Sequence, residues 1–209
     1  MSGASAVLED GSLLSRLDRG LGKIERGFAL LSGLAAFSLM FLAAWSVGGR
    51  KFFGMPLAGY VDYIEVLMPL IAILGVSYVQ RLGGHIRMDI LIGRLRGRAL
   101  WAAELLSVLL VLVLMVALLW GSWAHFERSF DMSRPLWSRD STIDIGLPLW
   151  PAKLIVPVAF AVLCLRLSLQ VWGYGRALIF KLEAPVSVPL IQSVADLARS
   201  EADQLEGRD

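Results

Sequence analysis

Apolar residues dominate four stretches of the chain, at about 27–49, 60–80, 100–126 and 148–174, and each is bounded by charge or by turn residues. Residues 27–49 carry no charge, which gives about 34 Å of helix at 1.5 Å per residue, enough to cross a hydrocarbon layer. Arg50 and Lys51 close that run, and a turn-rich link over 54–59, with Pro56, leads to the second. The second run opens on Asp62 and Glu65, three apart and so on one side of a helix, then continues uncharged through Pro69 and Gly75. The third is the cleanest, almost pure Leu, Val, Ala and Met over 105–119, with Trp101, Trp120 and Trp123 near its ends. Tryptophans there fit the two membrane interfaces. The fourth is interrupted by Pro148, Pro151, Lys153, Pro157 and Arg166. Started near Pro148, it places Lys153 close to one interface, where it can snorkel outward, and Arg166 near the other. The pattern predicts an all-α integral membrane protein with four transmembrane helices.

Between the second and third runs the pattern changes. Residues 81–98, RLGGHIRMDILIGRLRGR, carry five arginines, His85 and Asp89, yet retain an apolar stripe. On a helix over about 85–98, Met88, Leu91, Ile92 and Leu95 share one side with Ala99 just beyond. Arg87, Arg94 and Arg98 flank that side on one edge, and Asp89 and Arg96 on the other. Such a segment cannot span a bilayer, because each charge in hydrocarbon costs several kcal/mol. It predicts an amphipathic interfacial helix, apolar side down, with its arginines toward lipid phosphates.

Charge distribution sets the expected topology. With the N-terminus inside, the inner side carries Arg16, Arg19, Lys23 and Arg26, the five arginines of 81–98, and Arg176 and Lys181. The outer side carries Arg50, Lys51, Arg128, Arg134, Arg139 and Lys153. Eleven against six favours both termini in the cytoplasm. Residues 1–26 then form a cytoplasmic N-terminal segment, 27–180 the four-helix domain, and 181–209 an acidic cytoplasmic tail with Pro185 and Pro189 at its start. The polar lead is too long for a signal peptide and shows no small-residue cleavage site, so the first span is expected to be uncleaved.

Composition narrows function mainly by exclusion. The 209-residue chain is 56% hydrophobic with a net charge of only +2, and its mean hydropathy of +0.65 is too apolar for an ordinary soluble domain. The lone Cys164 excludes an internal disulfide framework, a thiol oxidoreductase pair and a zinc site of several thiolates. The only histidines are His85 and His125, and the first, second and fourth runs contain none, so a di-haem bundle lacks its axial ligands. No nucleophile elbow or nucleotide-binding glycine loop occurs. The sequence gives catalysis no foothold and calls for no cofactor, metal or nucleic acid. There is no internal repeat of the kind many complete transporters carry.

Glu65 is the most suggestive single residue. A carboxylate at membrane depth points to proton relay, cation binding or a buried partner. The structural reading is an interfacial acid that faces water or pairs with Lys51 or a neighbouring helix. His85 and Asp89, four apart, read as a hydrogen-bonded corner where the interfacial helix begins, after the flexible Gly83-Gly84 turn. The arginines fit lipid headgroups or the acidic surface of a partner protein.

Together these motifs resemble a known family. GGHIRMDIL at residues 83–91, with Gly84, His85, Arg87 and Asp89, is similar to the Gly-His-(Val/Ile)-Arg-(Val/Met)-Asp pattern of the small permease subunit of TRAP transporters, the DctQ family. Glu65 in YVDYIEVLMPL matches that family's acid at the opening of the second span. LPLWPAKLIVP at 147–157, with Pro148, Trp150, Pro151 and Lys153, matches its proline- and tryptophan-bearing approach to the last span. The likeness covers about residues 21–174. It implies a tripartite, secondary-active uptake system in which a periplasmic binding protein, docking transiently, delivers an organic acid or similar solute to a large DctM-type permease driven by a sodium gradient. The small subunit would be that permease's non-catalytic membrane partner, with Glu65, His85, Arg87, Asp89, Arg94 and Arg98 as candidates for contact with the partner or with membrane lipids. The rival reading is an independent four-helix membrane protein, either a small exporter using Glu65 or an assembly factor.

Overall fold

The computed structural model describes residues 13–55, 57–82 and 98–180. Helix α1 runs Leu13–Phe53, α2 Tyr60–Ile73, α3 Val76–Arg81, α4 Arg98–Ser129 and α5 Trp150–Phe180, with one short 3-10 turn at Pro135–Trp137. The two short helices α2 and α3 form one interrupted span, Tyr60–Arg81, so among the described residues four helical segments are long and apolar enough to cross a membrane. Among the described residues there is no strand, only isolated bridges in the α4–α5 loop. The protein is an all-α, multi-pass membrane protein. The expected interfacial helix over 85–98, with Gly84, His85, Arg87, Asp89 and Arg94, lies outside the described residues. So do the side chain of Arg98, which opens α4, and the tail from 181.

Helix α5 is the hub. It packs along α4 for most of its length and also touches α1, α2 and α3, whereas α4 leans mainly on α5. Val108 on α4 and Leu163, Leu167 and Tyr174 on α5 form the apolar core, with Trp101, Leu105, Phe160 and others packed against it. The remaining faces are apolar and outward: Phe37, Phe41 and Trp45 on α1 and Leu110, Val113 and Trp120 on α4 are all largely exposed. In water this would be an untenable surface. In lipid it is the expected one, because the solvent is as apolar as the side chains.

The break between α2 and α3 falls at Leu74–Gly75. The Ser32 hydroxyl of α1 donates to the Ile71 carbonyl at 3.0 Å, beside that break. Helix ends leave carbonyls without a helical donor, and in a membrane such acceptors need a replacement. Ser32 supplies one.

Candidate functional site

Two polar clusters are built into this apolar frame, one at each end. At the end where α1 begins, the helix starts at Leu13 and carries polar residues into the bundle before its apolar run. Asp18 and Glu25 lie seven residues apart, two turns along one face, and both are buried. Arg166 on α5 is also buried, 1% exposed. Its Nε donates to Glu25 Oε1 at 2.7 Å and its Nη2 to Oε2 at 2.6 Å, a bidentate fork, while its Nη1 donates to Asp18. Arg81, the last residue of α3, donates from Nη2 to the other Asp18 oxygen at 2.9 Å. The Ser77 hydroxyl of α3 adds a hydrogen bond to Glu25 Oε1 at 2.6 Å.

The sequence places Arg166 near an interface, and its engagement with α1 is something spacing alone does not reveal. The residue is not exposed at a surface but enclosed by protein. Two carboxylates face two guanidiniums, so the set is neutral, and every charged group has a charge-assisted partner. One step further along the same face, Gln80 Nε2 donates to Gln170 Oε1 at 2.7 Å, joining α3 to α5. Gly22 makes the crossing sterically feasible: a Cβ there would lie 2.0 Å from Arg81 Nη1. This cluster ties three helices together.

The opposite cluster organises the loop between α4 and α5. Lys153 Nζ donates to Asp140 Oδ2 and to Ser129 Oγ, both at 2.6 Å, and the Ser129 hydroxyl in turn donates to Asp140. The Lys153 ammonium and the Ser129 hydroxyl hold the Asp140 carboxyl below its usual range. Ser133 and Arg139 hold Asp131 down to about 2 in the same loop. Leu136 and Trp137 both have φ of 55°, a left-handed conformation uncommon for bulky residues. The strained turn is pinned where Trp150 Nε1 donates to the Leu136 carbonyl at 2.9 Å. Thus Lys153 and Trp150 of the proline-bearing segment anchor this loop, with Pro148 in a bridge to Ser141 and Pro151 in the first turn of α5.

Asp62 and Glu65, adjacent on α2, have diverged. Asp62 is buried and accepts the backbone N–H of Ile145 at 2.7 Å and of Asp144 at 3.4 Å, fastening the loop to α2. Beside it Gly59 has φ of 70°, and the Ile145 side chain lies over it. Glu65 instead faces outward, at the rim of a cleft of about 260 Å³ that it shares with His125 and Lys153. Sequence reasoning singled out Glu65 and missed Asp62. Its only signal was the i, i+3 pairing itself, which does not tell which acid turns inward.

Among the described residues no group of three His, Cys, Asp or Glu side chains could hold a metal ion. Both clusters hold protein to protein. The family model for tripartite ATP-independent periplasmic transporters, DctQ component, matches residues 39–174, from the middle of α1 to the last turns of α5. No curated protein matches the chain.

Proposed function

Because the chain belongs to the DctQ component family of tripartite ATP-independent periplasmic transporters, we propose that it is the small membrane subunit that braces a large DctM-type permease during sodium-gradient-driven uptake of an organic acid or similar solute. The observation that carries this reading is the family match across the four-span unit. The structural features in accord with it are polar groups spent on holding helices and a loop in place. A brace needs rigidity, and the Asp18–Glu25–Arg81–Arg166 set stiffens one end while the Asp62–Asp140–Lys153 set stiffens the other. The solute and ion sites belong, on this reading, to the large subunit, and this chain is not an enzyme. The excess of Lys and Arg supports a reading in which α1's start and residues 85–98 face the cytoplasm across an inner membrane. The α4–α5 loop then faces the periplasm, where the binding protein docks. Glu65, His85, Arg87, Asp89, Arg94 and Arg98 are the residues proposed to meet the partner or the lipid.

The test is co-expression of the tagged chain with its permease partner. The two co-purify in detergent at fixed stoichiometry, and vesicles holding both take up solute only under a sodium gradient. Full uptake by the large subunit without this chain would remove the bracing role. Uptake by this chain alone would make it an independent transporter.

A further inference from the structure

The cleft between α2, α4 and α5 has an ordered gradient of chemistry. Each of its walls carries an ionisable side chain toward the end of the bundle that bears the α4–α5 loop. Each has a small or apolar residue one turn deeper: Glu65 above Pro69, His125 above Ser122 and Lys153 above Val156. Helix α4 runs opposite to α2 and α5, so this layering is a property of the tertiary structure, not of any one sequence repeat. Charged at the rim and apolar beneath, the cleft matches an amphiphile lying along the membrane normal. Its volume of about 260 Å³ is below that of a pocket for a whole drug-sized ligand, so it suits a headgroup with its chains left in the bilayer.

The rim calls for both signs of charge. Glu65 is a carboxylate acceptor. Lys153 uses two of its three donors on Ser129 and Asp140, leaving one, and His125 stands beside it. A proline adds an acceptor on the cation side: Pro69, lacking N–H, deprives the carbonyl of Glu65 of its usual helical donor. A purely anionic headgroup would meet the Glu65 carboxylate, and a bare cation would make no use of the remaining Lys153 donor or of His125.

We propose that this cleft seats the headgroup of a zwitterionic aminophospholipid, its ammonium on Glu65 and its phosphate between His125 and Lys153, with the acyl chains passing Pro69 and Val156. The inference rests on the four helices crossing a bilayer and is independent of the transport role.

The full-length chain in detergent, titrated with an equimolar mixture of phosphatidylethanolamine and phosphatidylglycerol of identical chains, is read by native mass spectrometry. Retention of phosphatidylethanolamine is expected to exceed that of phosphatidylglycerol by about tenfold, the effect of one charge-assisted hydrogen bond. Glu65→Gln brings the ratio near one without lowering the thermal midpoint, and Glu65→Asp keeps most of the preference. His125→Leu, on the opposite wall, weakens retention of both lipids. Equal retention by the native chain, or an unchanged ratio in Glu65→Gln, overturns the proposal. A photoreactive residue at position 122 gives a second reading in native membranes. Labelling of lipid supports the headgroup site, and labelling of protein instead assigns the cleft to a subunit contact.

Discussion

The guanidinium of Arg166 on α5 grips both carboxylate oxygens of Glu25 on α1, at 2.7 and 2.6 Å, across 141 residues of chain. Neither side chain touches solvent or lipid. Removing one partner of such a pair leaves a charge without compensation, at a cost of about 3–5 kcal/mol. Arg166→Leu is therefore expected to lower the thermal midpoint in detergent sharply. Arg166→Lys recovers only part of the loss, because an ammonium cannot reproduce the two-pronged fork. A double-mutant cycle with Glu25→Gln checks the pair, which predicts a coupling well beyond additivity.

Gly22 offers a second test of the same cluster. A side chain at position 22 would occupy the place of the Arg81 guanidinium, which cannot move off α1 without releasing Asp18. Gly22→Leu is expected to destabilise the fold even though leucine is the better helix former. Gly20 and Gly27 on the same helix have open space around them, so Gly20→Leu and Gly27→Leu are expected to be neutral. Thermal midpoints of the three variants give the comparison.

Asp62→Asn addresses the opposite end. The carboxylate accepts two backbone N–H groups of the loop, and an amide accepts them less strongly and through one oxygen. Amide exchange at Asp144 and Ile145 is expected to rise several-fold, while exchange in the α4–α5 core stays unchanged. Equal protection in both forms would show that Gly59 and Ile145 hold the loop without Asp62.

The loop also has a calculable response to acid. Ser133 and Arg139 depress the Asp131 carboxyl to about 2. Since the folded value lies below the unfolded one, Asp131 contributes fully above about pH 4 and its contribution is lost as pH falls through about 2. Asp140, depressed by Lys153 and Ser129, acts in the same direction. Pepsin cleavage within the loop is expected to accelerate as pH is lowered across that window. In Asp131→Asn cleavage is expected to be faster at the upper end and to change less across it.

The sequence by itself determined the four spans. Runs such as 105–119 admit no competing arrangement in lipid, where backbone polar groups must be satisfied within the helix and apolar side chains need no partner. It also determined the family resemblance, through GGHIRMDIL at 83–91, Glu65 and the proline-tryptophan segment at 147–157, and the family model agrees over residues 39–174. What it left open were the long-range polar pairings. Asp18 and Glu25 fall within the polar N-terminal segment 1–26 and Arg166 reads as a charge near an interface, because each pairing depends on which helix faces which. Hydrophobic periodicity reports that a face is apolar and says nothing of its neighbour. Only the packing of α1, α3 and α5 brought two acids and two arginines together. Only the meeting of α2 with the α4–α5 loop turned Asp62 inward and left Glu65 at the rim of a cleft. The first choice is made by charge pairing across helices, where the cost of an uncompensated charge in an apolar interior outweighs local preference, and the second by the loop N–H groups that the Asp62 carboxylate accepts.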